Sequence, residues 1–467
     1  MAPGRSTIAA DQKPSYHAVP FRITDPERIP APRYYDEEFY RLEVERLWPH
    51  VWQMACRLEE IPNVGDFVEY RNLDKSVIVV RTRSGVKAFH NTCRHRGVQL
   101  VEGPGNCAGK GFICPFHGWR WNLDGENTFV FAKHIFSEAL LGKPDINLVP
   151  CRLETWGGMA FINFDNEAAG LRASLGPVAE RMDVRNLDQL RMEWWYGTIL
   201  PTNWKLAMEA FMESYHVMRT HPQLNAVQPP PQYLTGAAAH PNARTPTARE
   251  AVEGLVSALR VVSDGMAGMV HPSEVAIAER LKDMDLPEDP EKAMEVFLTR
   301  LKDQIHTEGV ALGLPVPDIN KVDASHPHRT VEFFFPHFFL LPTFSAMSAY
   351  RIRPLGPESC LFELWSLAFI PDDPPSERPR APTMLAHDSK EFPPIPQQDY
   401  SNLPRQQKGL HGRGFEYMRL SKDWEGLISN YQRLIDGYLA QEDPAKLARA
   451  QNLVNDGFDH PIADIGF

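Results

Sequence analysis

Apolar positions in residues 36–48, DEEFYRLEVERLW, fall at Phe39, Leu42, Val44 and Leu47, close to helical spacing, and predict an amphipathic helix. From about residue 50 the period changes. Residues 66–71, 76–81 and 86–91, separated by Asp, Ser and Gly, predict short strands of a compact β domain that runs to about 165. Residues 191–200, RMEWWYGTIL, predict a further strand, and 202–220 a strong helix that Pro222 would stop. Residues 226–330 join the proline-rich QPPPQ at 228–232 to a charged helical region over about 273–307, which reads as an insertion that could cover a pocket. Residues 329–370 predict three strands joined by turns. A proline-rich loop at 371–396, a helix-compatible segment at about 398–412 and a last helix near 417–441 complete the chain.

At 467 residues the chain is long enough for at least two domains, which excludes a small binding module. Its 43% hydrophobic and 23% charged residues are those of an ordinary globular protein, so global disorder is excluded too. Lys and Arg number 49 against 60 Asp and Glu, and the net charge of −11 offers no field to attract nucleic acid or an anionic membrane. The first twenty residues hold no apolar core of signal-peptide length, and no run approaches the ~18 apolar residues of a membrane span. The expectation is a cytoplasmic protein. In a reducing compartment its six cysteines would be thiols, and any clustered pair points to a metal site.

One such cluster is Cys93-Arg94-His95-Arg96-Gly97, followed by Cys114-Pro115-Phe116-His117-Gly118-Trp119, with eighteen residues, 96–113, between His95 and Cys114. Two Cys-and-His pairs thus arrive on two tight loops. Two thiolates and two imidazoles are the donor set of a Rieske [2Fe–2S] cluster, in which imidazoles on one iron raise the potential and make one-electron transfer the implied chemistry. Gly97 and Gly118 suit the turns beside the ligands, and Trp119 could shield the cluster from water. A structural zinc site would use the same residue types, but zinc fingers order two Cys before two His. Cys107 matches neither ligand position.

The second constellation lies in the 202–220 helix, where Glu209, Glu213 and His216 fall at i, i+4 and i+7 amid apolar neighbours. His216 and His221 are five apart, off the spacing of two ligands on one regular helix face, unless the chain unwinds before Pro222. Two histidines and a distant carboxylate would form the facial triad of non-haem Fe(II), with open positions for O2. A hydrogen-bonded core histidine is the alternative for either residue.

Together the two motifs resemble the large, catalytic α subunit of Rieske non-haem iron aromatic-ring-hydroxylating oxygenases over essentially the whole chain, starting from residues 47–70, LWPHVWQMACRLEEIPNVGDFVEY. The resemblance implies an α+β fold. A Rieske [2Fe–2S] β domain would occupy 49–165, and a catalytic domain of helix-grip type, an antiparallel sheet wrapped over a helix, would occupy 166–467 with the insertion at about 226–330. Residues 1–48 would pack against the catalytic domain. Cys93, His95, Cys114 and His117 would bind the cluster; His216, His221 and Asp399, the last in QQDYSNLPRQQKGL at 397–410, would bind mononuclear Fe(II). Val98 and Phe116 stand where Rieske proteins of exported respiratory complexes carry an extra Cys pair, which implies a cluster without a disulfide. Glu213 replaces the family's usual Asp, the carboxylate that links the two metal sites of neighbouring subunits, and Ala210 replaces its Asn.

The activity implied is O2- and NAD(P)H-dependent mono- or dihydroxylation of an aromatic or other apolar ring compound, as in aromatic hydrocarbon catabolism. A monooxygenase acting by O- or N-dealkylation is the alternative within the class, and an iron–sulfur electron carrier the alternative outside it. Electrons from NAD(P)H would come through a ferredoxin, a flavin reductase or both, since no Gly-rich dinucleotide fingerprint accompanies the metal motifs. A homotrimer, alone or with a small β subunit, is the implied assembly. Met208, Met212, Phe334, Phe335, Phe338, Phe339 and Trp365 offer apolar surface for a ring, or simply core.

Overall fold

The computed structural model describes residues 18–142, 144–226, 246–266, 268–371, 378–458 and 460–467. The amino-terminal stretch to residue 17 and the QPPPQ stretch at 228–232 lie outside the described residues. Asp36 caps α1 (Glu37–Arg46) by accepting the Phe39 N–H at 2.8 Å, and Phe39 and Leu42 carry its apolar face into the core. β1 (Gln53–Arg57) follows, then β2 (Asp66–Asn72), β3 (Lys75–Thr82) and β4 (Gly85–His90), paired antiparallel in the order β4-β3-β2 with Gly105–Asn106 at the far edge. β5 (Arg152–Trp156) and β6 (Met159–Asn163) close a second sheet, β5-β6-β1. Phe112–Ile113, Arg120–Trp121 and Asn127–Phe129 form a third, small sheet beneath the second Cys-and-His loop.

Beyond this β region come β7 (Arg191–Leu200), α2 (Trp204–Glu209) and three helices, α3 (Ala248–Gly265), α4 (Pro272–Leu281) and α5 (Pro290–Ala311). Then follow β8 (Glu332–Phe334), β9 (Phe338–Pro342), β10 (Met347–Gly356), β11 (Ser359–Ala368), β12 (Thr383–Met384), α6 (Pro394–Leu410), α7 (Gly426–Leu439) and α8 (Pro444–Asn455). The six strands form one sheet in the order β8-β9-β10-β11-β7-β12, antiparallel except for the β7–β12 pair. The result is α+β, with a β-rich amino-terminal half and a helix-and-sheet half after it.

The sheet is buried on both faces, which explains the continuous apolar run at 333–342. Phe333, Phe339, Leu341, Tyr350 and Phe362 face α2, α3, α6 and α7, while Phe334, Phe338, Leu340, Met347 and Trp365 face Leu171, Val178 and Trp52 on the other side. The 329–370 segment holds four strands, not three, because Pro336 and His337 turn the chain between β8 and β9. The charged helical region expected over about 273–307 is helical, as two helices, α4 and α5; α3 before them and α8 after α7 have no counterpart in the sequence reading. The last predicted helix begins at Gly426, since Tyr417–Arg419 pair with Arg28–Pro30 instead.

α1 and α2 are joined by a buried ion pair. Lys205 Nζ lies 2.5 Å from Glu43 Oε1, Trp204 Nε1 donates to Glu43 Oε2 at 3.1 Å, and both ionic side chains are fully buried. Burial pushes the Lys205 pKa down, against the pull of Glu43. Lys205→Met would leave the Glu43 carboxylate buried without its counter-charge, and should destabilise the fold by about 3–5 kcal/mol in denaturant titration. An unchanged unfolding midpoint would show that water or rearrangement replaces the pair. No helix among the described residues is long and apolar enough to cross a membrane.

Candidate metal centres

The two Cys-and-His loops have the same backbone. The Cys93 N–H donates to Val98 O at 2.8 Å and the Gly97 N–H to Cys93 O at 3.0 Å; the Cys114 N–H donates to Trp119 O at 2.8 Å and the Gly118 N–H to Cys114 O at 3.0 Å. Each turn closes on a glycine of positive φ, +80° at Gly97 and +71° at Gly118, a conformation that a Cβ disfavours. The loops bring the four expected residues together as two pairs, thiol beside thiol and imidazole beside imidazole. His95 Nδ1 and His117 Nδ1 are 3.2 Å apart. Two nitrogens each ~2.1 Å from one tetrahedral ion would be about 3.4 Å apart, so the pair fits a shared iron. Both thiols are buried, and Cys93 is raised above the usual thiol pKa by burial and by the adjoining Cys114. Trp119 is buried and stacks on His95 with centroids 5.1 Å apart and planes 7° from parallel, where it also fixes the imidazole. Cys107 stands apart from the set, its Sγ donating to Gly65 O. All six cysteines are free thiols.

The second centre departs from the expected regular helix. α2 ends at Glu209, and the Phe211 and Met212 N–H groups bond three residues back, to Met208 O and Glu209 O. The Glu213 carboxylate then takes the His216 N–H at 2.9 Å, and a short helix, Val217–Thr220, carries the chain to His221. Side-chain capture of a backbone donor competes with the helical ladder, so the i, i+4, i+7 stripe does not exist. Glu209 turns instead toward Tyr34 and Gln432, accepting from the Tyr34 hydroxyl at 2.9 Å. Burial raises its pKa to about 7.

This break brings the two histidines to one point. His221 Nε2 lies 2.9 Å and His216 Nε2 4.0 Å from Asp399 Oδ1, and one ligand atom from each of the three residues falls within 4.8 Å of the others. Each Nδ1 is held by an acceptor, Glu213 Oε1 at 2.6 Å for His216 and Gln398 Oε1 at 2.6 Å for His221. With Nδ1–H committed to those oxygens, the Nε2 lone pairs face Asp399, the orientation that metal-binding histidines need. Burial alone would lower the His216 pKa, but the hydrogen bond and charge of Glu213, with Asp399 beyond, hold it above the ordinary histidine value. The spot favours a cation. Nitrogen and carboxylate donors suit iron, and the residues present fit a 2-His-1-carboxylate ion.

A largely apolar cavity adjoins the three residues. Its walls are Phe211, Leu224, Met266, Met269, Val331, Leu341, Tyr350, Phe362, Ile395 and Tyr400, among others. None of the seven apolar residues singled out from the sequence lines it. Phe334, Phe338 and Trp365 face the opposite side of the sheet, and Met208, Met212, Phe335 and Phe339 pack in the core. Glu213 and His216 line both this cavity and a second groove bordered by Phe415, Met418 and Arg419. Gln398 was overlooked, although its place beside Asp399 could have suggested a partner for a ligand.

A Rieske-type β domain followed by a helix-and-sheet domain with a 2-His-1-carboxylate cluster defines the large subunit of a Rieske oxygenase. Residues 181–441 match the ring hydroxylating alpha subunit (catalytic domain) and residues 51–132 the Rieske [2Fe-2S] domain, and the chain belongs to this ring-hydroxylating family of oxidoreductases. It is 32% identical over 197 residues to the carnitine monooxygenase oxygenase subunit of Escherichia coli, a match covering 42% of this chain and 52% of that subunit. The chain therefore spans about half the length of that relative. It is 27% identical over 407 residues to the biphenyl dioxygenase subunit alpha of Metapseudomonas furukawaii, covering 82% of this chain and 80% of the relative. The fold is similar to that of a naphthalene 1,2-dioxygenase variant bound to phenanthrene, with a TM-score of 0.63 at 19% identity over 94% of this chain and 98% of that one.

Proposed function

We propose that this chain is the oxygenase component of a multicomponent system that uses O2 to hydroxylate a neutral, apolar ring compound. The observation that carries the reading is an apolar cavity opening onto His216, His221 and Asp399. When bound there, iron would supply the chemistry of O2 reduction, and a cluster held by Cys93, His95, Cys114 and His117 would supply single electrons. The protein's own part is to seat the ring against aromatic and aliphatic walls, exclude water, and fix both ligand imidazoles through Glu213 and Gln398. Electrons from NAD(P)H would enter through a ferredoxin or flavin reductase.

Glu213 is the residue we assign to the link between subunits in a ring-shaped homo-oligomer, a homotrimer by the family resemblance. It already accepts from His216, and it reaches the groove on the far side of the site, where His117 of a neighbouring chain would dock.

Carnitine-type N-dealkylation is disfavoured by the cavity itself. No Lys or Arg lines it among the described residues, so a substrate carboxylate would be buried without a counter-charge. A panel of biphenyl, naphthalene, a methoxyarene and carnitine, supplied with a surrogate reductase and analysed by mass spectrometry, tests this. Diol or monohydroxylated products from the arenes and none from carnitine are expected; turnover of carnitine alone would overturn the proposal.

A further inference from the structure

Residues 127–142 form an arm beside the cluster loops, with short 3-10 helices at Lys133–Ile135 and Glu138–Leu141. The arm has an inner and an outer side. Val130, Phe136 and Leu141 turn inward against the core of the β domain, and Phe136 meets His95 and Trp119 edge-on, with centroids 5.6 and 5.8 Å away. Phe129, Phe131, Ile135 and Leu140 turn outward and are 43%, 62%, 71% and 68% exposed. Four large apolar side chains on one short surface segment forfeit free energy unless something covers them. Around them the charge is positive. Arg94 and Lys133 are exposed, the Arg120 guanidinium lies 5.2 Å above the Phe129 ring, and Glu138 is the one acid in 127–142. Arg94 is tied to the far end of the arm, its Nε–H donating to Asp145 O at 3.0 Å. The chain as a whole carries −11, so this face inverts the sign of the molecule.

Resting on the oxygenase reading above, we infer that the outer side of this arm is the docking surface of the electron donor, an acidic one-electron carrier protein of the ferredoxin type. His117, with Phe116 against its ring at 4.2 Å, is the side assigned above to the neighbouring chain, which leaves the donor the side of His95, Trp119 and Phe136. The cluster would thus receive on one side and deliver on the other. Each transfer oxidises the carrier by one electron and reduces the cluster by one, with no bond made or broken. An apolar centre beside cations suits a short-lived complex: charge attraction brings an acidic partner in and fixes its orientation, and apolar contact holds it for the transfer.

The probe is an acidic plant-type [2Fe–2S] ferredoxin, whose potential lies below that of a Rieske centre, reduced and freed of excess reductant. Stopped-flow absorbance follows reduction of the cluster at ~20 mM and ~500 mM salt, a range over which charge attraction is progressively screened. The wild-type second-order rate constant should fall about tenfold or more across it. Lys133→Glu with Arg120→Glu should lower the low-salt rate about tenfold and flatten the salt dependence, whereas Ile135→Ser with Leu140→Ser should slow reduction at both salts and leave the slope. Reduced photochemically instead, both variants should keep the wild-type cluster spectrum, oligomeric state and single-turnover product yield, because the delivering side is untouched. A wild type that the ferredoxin does not reduce, a rate indifferent to salt, or variants reduced as fast as wild type overturn the docking surface and leave the oxygenase reading standing. Loss of the oligomer or of the photoreduced yield in either variant would show the arm to seat a second copy, and overturns it too. Photoreduced wild type that forms no oxygenated product overturns the oxygenase reading itself.

Discussion

Glu213→Gln is expected to retain both metals and a reducible cluster while losing about 10- to 100-fold in product formed per electron consumed, the range for residues that orient metal ligands. The reason is the number of acceptors. Glu213 receives His216 Nδ1–H on one oxygen and the His216 N–H on the other. A glutamine offers one oxygen and would turn an NH2 toward a second donor, and it lacks the charge that strengthens both bonds. The imidazole loses its fixed orientation, and the groove side of the carboxylate loses the anion we assign to the neighbouring chain's His117. Pre-reduced protein in a single-turnover assay gives the answer. A wild-type yield of product per cluster oxidised would show that Glu213 does not couple the two centres.

His221→Ala should remove the mononuclear iron and lower turnover by more than ~100-fold, exceeding the loss seen for residues that merely orient a ligand. The two ligand sets share no residue, so the effect should stop there. Wild-type protein should hold about three irons and two acid-labile sulfides per chain, and the variant about two irons with both sulfides and an unchanged visible spectrum. Cys114→Ala should do the converse, erasing the cluster's absorption while leaving His216, His221 and Asp399 in place. Stoichiometric zinc at the Cys-and-His site, or cluster loss in His221→Ala, would break the division of ligands.

The cluster loops were legible because they are local. Cys93 to Gly97 and Cys114 to Trp119 each complete a turn within six residues, and the glycines needed for positive φ are written into the motif. Asp399 was reachable only through the family resemblance, because nothing in the spacing of 178 positions from His221 indicates a contact. The break after Glu209 was hidden for a different reason. Residues 210–216 have no proline or glycine, and the helix ends through side-chain capture by Glu213, which local propensity does not reveal. The cavity walls were out of reach for a third. A strand buried on both faces sends alternate residues to opposite sides, so Phe338 and Phe339 enter different cores, and the run FFFPHFFLL gives no sign of which face meets the iron site. Met266 and Met269 come from the 226–330 segment, which the sequence reading takes as an insertion that could cover a pocket.

The most direct measurement is the origin of the oxygen in the product. Protein reduced anaerobically, loaded with an apolar ring substrate and exposed once to 18O2 in ordinary water should release product carrying 18O, in an amount limited by the electrons stored in the cluster. Cluster oxidation with no oxygenated product, or product bearing only 16O from water, would contradict the assignment of this chain as an oxygenase.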